Sequence, residues 1–187
     1  MSARNTIVRS LHDLGAAAWF GGSLMGAVGV NGAGGAVRDP KDRARVTAAG
    51  WGKWGPVNAA AIGAHLIGGG AILYNNRDRA KYQSGVTANT VTKLVVTGAA
   101  LGATVYSRVL GMKAAQGQGD SVQGATEPAP STPSDVAAAQ QQLRYAQWLV
   151  PALTGTIILL GAQQGEQQRP GQIATGVSRK LTRIAGN

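Results

Sequence analysis

Residues 54–76 read WGPVNAAAIGAHLIGGGAILYNN, a stretch without Lys, Arg, Asp or Glu. A hydrocarbon core of about 30 Å is crossed by roughly 20 residues of helix at 1.5 Å per residue, and this run has that length. Trp54 and Tyr74 near its two ends suit the membrane–water interfaces, where amphipathic rings settle. Pro56 falls in the first turn, where a missing N–H costs little. The stretch predicts a transmembrane helix over about 54–75.

On its N-terminal side, the uncharged run 14–37 predicts a span over about 12–32. On its C-terminal side, 145–165 predicts another over about 144–164, with Tyr145 and Trp148 at its start and Pro151 in its first turns. Between them only 14 residues separate Lys93 from Arg108, which is short for a span. Both charges lie near the ends and can snorkel to the headgroups, so the third span is placed at about 89–111. The fold class expected is all-α: a polytopic four-helix membrane bundle in one domain of 187 residues.

The mean hydropathy of −0.04 resembles that of a soluble protein, because 28 glycines and many alanines dilute the apolar runs. A soluble bundle would carry a charged face on each helix, and these runs carry none. The net charge of +10 resides in short loops and tails beside apolar segments, which suits anionic lipid better than a nucleic-acid face. The absence of cysteine excludes disulfides, thiolate catalysis and thiolate metal ligation. Arg4 and Arg9 before the first run imitate a signal peptide, but further apolar runs follow and favour an uncleaved helix.

The Asp-Pro-Lys-Asp start at 39–42 resembles a helix cap and predicts a short surface helix. Residues 116–143, with TEPAPSTPSD at 126–135, read as a flexible, extended loop. Residues 165–187 form a basic tail. Within it Ile173, Val177, Leu181 and Ile184 fall at helical spacing beside Arg179, Lys180 and Arg183. This predicts a short amphipathic helix whose basic groups meet lipid headgroups. The second and fourth spans share a Trp, a following Pro and a closing amide pair, which hints at two duplicated hairpins. Loop charges place both termini in the cytoplasm, by ten basic residues against eight.

Small residues recur at four-residue spacing in each span: Ala18, Gly22 and Gly26; Ala60, Ala64 and Gly68; Gly98 and Gly102; Gly161 and Gly165. That spacing predicts close helix packing, with homo-oligomeric contacts or a larger membrane complex as the setting. His65 lies at mid-span, where an ionisable side chain is a functional candidate by default. His12 and Asp13 stand together at the entrance of the first span. An antiparallel hairpin that levels His12 with Tyr74 puts His65 about 13 Å deeper. On that register the two histidines share neither a metal nor a haem iron. No metal site is expected, no cofactor is assigned, and haem or copper enters only as an alternative. A channel would need Ser23, Asn58, Thr97, Thr104 and Thr154 to face one axis. No paired carboxylates, phosphate loop or Ser-His-Asp set is present, so no enzyme is expected.

Residues 12–22, HDLGAAAWFGG, fit H-x6-W-x-G-G. This resembles the opening helix of the copper-resistance CopD-like membrane core and of small four-helix membrane proteins of unknown function. Together with WFGGSLMGAVG and GATEPAP, the chain also resembles uncharacterised actinobacterial membrane proteins. The resemblance implies a helical bundle in the plasma membrane. Copper handling is proposed for CopD-like proteins, but Met- and His-rich segments are lacking here. The leading functional expectation is an accessory or scaffolding membrane component. The alternatives are a haem-, copper- or quinone-binding protein using His65 or His12, and a channel or carrier.

Overall fold

The computed structural model describes residues 6–80 and 84–167. These residues are almost wholly helical. A first helical path comprises α1 (Thr6–Met25), a π-helical turn (Gly26–Val30) and α2 (Asn31–Ala36). Then follow α3 (Pro40–Ala80), α4 (Ser84–Ala115) and α5 (Ser134–Gln167). The basic tail, with Arg179, Lys180 and Arg183, lies outside the described residues.

Among the described residues three helices are long and apolar enough to cross a membrane: within Pro40–Asn75, Ala88–Ala115 and Ser134–Gln163. Their side chains are distributed as a bilayer demands. Leu66, Ile67, Val95, Val105, Leu149 and Leu159 point outward, while Ala16, Trp19, Ala61, Ala100, Thr154 and the two histidines are buried. In water this arrangement would expose the apolar surface that folding normally hides. The protein is therefore embedded in a membrane.

The helices run well beyond the predicted spans. The predicted surface helix near residue 40 is the first part of α3. Pro40 stands at its first position, and the Asp39 carboxylate accepts the backbone N–H of Lys41 (3.0 Å), a side-chain cap on the orphan donors. No breaker separates this start from the apolar run, so the helix continues for 41 residues. Pro56 and Pro151 are consequently interior residues of α3 and α5. A transmembrane helix tolerates them where neighbouring helices stabilise the break.

α1 packs along α3, α4 along α5, and α1 also lies against α5. Two antiparallel hairpins are thus joined through the N-terminal helix. The shared Trp-Pro pattern has no shared environment, however. Trp51 and Trp54 pack on Gly26 and Gly22 of the first helical path, whereas Trp148 is exposed.

The segment read as an extended loop is folded. Residues 116–133 form a cap in which Val122, Ala125, Thr126 and Thr132 are buried. Val122 and Pro128 form an antiparallel bridge, and the Val122 N–H donates to the Pro40 carbonyl (3.3 Å). Arg43 donates to Val37 O (2.8 Å) and Gln123 O (2.9 Å), and Gln140 donates to Gly124 O (3.1 Å). Pro, Ser and Thr content suggested an open loop, but long-range donors satisfy its carbonyls. Residues 134–143, assigned to the same loop, are the opening turns of α5.

Candidate functional site

The seam between α1 and α3 is built from large residues facing small ones. On the first helical path the positions are Val8, His12, Gly15, Trp19, Gly22 and Gly26. On α3 they are Trp51, Trp54, Asn58, Ala61, His65 and Gly68. Alternating steps of three and four keep each set on one helix face. A Cβ on Gly22 would collide with the Trp54 ring, and one on Gly26 with the Trp51 ring. A Cβ on Gly15 would lie 2.5 Å from Ala61 O and 2.6 Å from His65 N. One on Gly68 would lie 2.6 Å from His12 N and 2.7 Å from Val8 O. The two backbones therefore cross at Gly15 and Gly68, with a histidine on each side of the crossing.

The small-residue stripes thus divide by role. Gly22 and Gly26 are sockets for tryptophan rings, so Trp51 and Trp54 are interior residues of the seam. Gly68 is a backbone contact. Ala18 and Ala64 are half-buried and Ala60 is exposed. Gly98 and Gly102 face open space on α4, Gly161 approaches the Lys93 ammonium, and the surroundings of Gly165 lie outside the described residues.

This crossing brings His12 and His65 together. Their ring centres are 4.2 Å apart, tilted by 41°. The 13 Å separation expected from sequence is overturned because His12 is level with Gly68 and Gly69 rather than with Tyr74. Gly15 and Gly68 allow that register, and no charge pattern marks it. His12 Nδ1 donates to the Asp13 carboxylate (2.9 Å), and His65 Nδ1 donates to the His12 carbonyl (3.1 Å). Both acceptors are pure acceptors, so both neutral rings carry their proton on Nδ1. Each Nε2 then presents a lone pair, the arrangement that orients a ligating or proton-accepting imidazole.

Trp19 closes one side of the pair, with its ring 6.1 Å from that of His65. It is fully buried, and its Nε1–H donates to Thr104 Oγ1 (3.1 Å), whose hydroxyl donates to Ala100 O (2.8 Å). Lys93 of α4 is half-buried, with its Nζ beside Gly161 of α5. Its charge is within electrostatic range of Asp13, His12 and His65.

A haem iron between the two rings does not fit. Metal–nitrogen bonds of about 2 Å on opposite sides would place the ring centres about 6 Å apart, well beyond the observed 4.2 Å. Among the described residues no three His, Asp or Glu side chains converge as a metal-binding set. Three of the five residues offered as a channel lining have their hydroxyls engaged. Ser23, Thr104 and Thr154 hydroxyls bond back to carbonyls of their own helices, as Ser and Thr do within helices.

Sequence reasoning missed a second polar junction. Trp51 Nε1–H donates to Asn31 Oδ1 (2.8 Å), and Asn31 Nδ2–H donates to Gln147 Oε1 (2.7 Å). Asn31 follows the π-helical turn directly. The turn adds a residue to the repeat and rotates Asn31 onto the seam, which its place at the end of an apolar run could not reveal. The H-x6-W-x-G-G motif acquires a packing meaning: His12, Trp19 and Gly22 share the seam, and Gly21 faces open space.

Comparison of the chain with protein-family models, with curated proteins and with solved structures finds no match.

Proposed function

We propose that this chain is a membrane-embedded binding protein that holds a lipid-soluble molecule at the His12–His65 pair. The observation that carries this reading is the pairing itself: two buried imidazoles 4.2 Å apart, each with its Nδ1 engaged and its Nε2 left as an acceptor. Ionisable groups at membrane depth are expensive, and a seam needed only for packing would be served by apolar residues. An Nε2 lone pair accepts a hydrogen bond from a ligand O–H, as in a quinol or an organic acid. In the test, lipid-soluble molecules extracted from the purified protein are compared by mass spectrometry with those from a folded His12→Leu/His65→Leu variant. A near-stoichiometric species missing from the variant supports the reading. Identical extracts overturn it.

The binding site belongs, in this reading, to a four-span protein of the plasma membrane. The Thr6–Ala36 path is the remaining span and both termini are cytoplasmic. Support comes from its continuous helical backbone and its close crossing with α3. The cysteine-free sequence makes a direct test simple. An impermeant maleimide added to intact cells labels Gln118→Cys, whereas Ser10→Cys reacts only after permeabilisation. Labelling of both from outside would sink this topology.

A second reading is an accessory component that packs against another copy or a larger membrane complex. Gly98 and Gly102 favour it, since both are open on the outer face of α4 beside exposed Val95 and Val105. Neither reading is enzymatic or involves nucleic acid.

A further inference from the structure

We infer that His12, rather than His65, takes the ligand, that its Nε2 accepts a neutral phenol-type hydroxyl, and that this hydroxyl enters past Gly69. This rests on the binding reading above and names the accepting atom, the entrance and the chemical class.

The two imidazoles are held by unlike acceptors. His12 Nδ1–H meets the Asp13 carboxylate (2.9 Å), whereas His65 Nδ1–H meets a backbone carbonyl (3.1 Å). A carboxylate on one ring nitrogen raises the basicity of the other, and a neutral carbonyl does so less. His12 is therefore the stronger acceptor, with Asp13 as its positioning residue. The same carboxylate repels a second anion, so the fitting partner for the lone pair is a neutral O–H donor. A phenol or quinol supplies a stronger donor than an aliphatic alcohol and stays neutral at pH 7.

Access separates the two rings in the same sense. A Cβ on Gly69 would lie 3.2 Å from His12 Cδ2 and 3.7 Å from His12 Nε2. The accepting edge of the ring thus faces the place where α3 lacks a side chain. Gly69 is half-buried, and the His12 side chain keeps 8% of its surface exposed. Gly15, the glycine beside His65, offers no such opening, because the backbone of Ala61 and His65 occupies it. Leu66 and Leu73 stand three residues before Gly69 and four after it, on the same face of the helix. Both leucines are exposed. Gly69 is a notch in this outward leucine ridge, where a hydroxyl can enter while an attached apolar chain lies along the ridge.

The experiment times carbethoxylation of each histidine by diethyl pyrocarbonate, read by peptide mass spectrometry on the full chain in nonionic detergent. His12 is expected to react roughly tenfold faster than His65, the scale on which a carboxylate partner acts. Gly69→Ala sets a methyl group at the reacting edge and should slow His12 by about tenfold without changing His65. Gly70→Ala, which meets nothing within reach, should change neither. Asp13→Asn should slow His12 alone and Asp13→Glu should retain most of the rate, whereas a loosened fold would speed both rings. In the wild type, 3-pentadecylphenol should protect His12 roughly threefold to tenfold better than its methyl ether, the scale of one hydrogen bond. Palmitate should protect no better than the ether. Faster labelling of His65, an unchanged His12 rate in Gly69→Ala, or equal protection by phenol and ether overturns the inference. Protection confined to His65 overturns it as well but upholds the binding reading. Protection of neither ring sinks the inference, and the binding reading falls with it when the extracts compared above are also identical.

Discussion

Gly15 and Gly68 have no space for a side chain because the opposing backbone occupies it, whereas Gly98 has nothing within reach. Identical residues in similar apolar runs therefore differ sharply in consequence. Gly15→Val or Gly68→Val is expected to lower stability by about 1–3 kcal/mol or more, since backbone cannot rotate aside as a side chain would. Gly98→Val should change stability by less than about 0.5 kcal/mol. Thermal unfolding in detergent, followed by circular dichroism, checks both; equal losses would contradict the crossing point. At this scale the sequence displays which residues are small and which are ionisable. Whether a glycine admits a tryptophan ring, a backbone or nothing depends on the neighbouring helix. His12 and His65 were legible as candidates one by one, and their contact was not.

The helices illustrate a different division. Hydrophobic length revealed the apolar centres of α3, α4 and α5, because a bilayer core demands about 20 residues of each. It left the ends obscure, since a helix that leaves the membrane continues until a breaker or cap stops it. α3 begins at the Asp39 cap and crosses the supposed surface segment without interruption. The π-helical turn at Gly26–Val30 is likewise invisible in hydropathy, yet it rotates Asn31 toward both Trp51 and Gln147. Asn31→Ala strips partners from both groups at once and is expected to destabilise by about 1–3 kcal/mol. Gln147→Ala breaks one of these two bonds together with an exposed bond to Arg144 O, and should cost less. Urea-independent thermal melts of the two variants rank them, and the reverse order would count against the junction.

For the whole molecule, the inversion of apolar surface makes the membrane the solvent, and the folded segment 116–133 closes one end of the bundle. Arg43 ties that cap to the start of α3 through two carbonyls, those of Val122 and Gln123, and also holds the Val37 carbonyl. Arg43→Ala should raise amide hydrogen exchange across residues 121–127 while α4 and α5 stay protected. Unchanged exchange there would show that other contacts, such as Gln140 with Gly124 and Ala125, hold the cap by themselves. Composition misled here because Pro, Ser and Thr describe what a segment can do locally. Donors far away in sequence decided its shape.

By itself the sequence determined that the chain is helical and membrane-embedded, because uncharged runs of bilayer length have no other stable home. It also singled out His12, His65 and Lys93 as ionisable residues in or beside the apolar runs. Only the tertiary structure decided the register of α1 on α3, and with it the pairing of His12 and His65. The physical reason is that hydrophobicity is non-directional: it selects a helix and its environment, but sliding one apolar helix along another barely changes it. Steric fit, one glycine beneath each large residue, selects among those positions, and that fit exists only between helices.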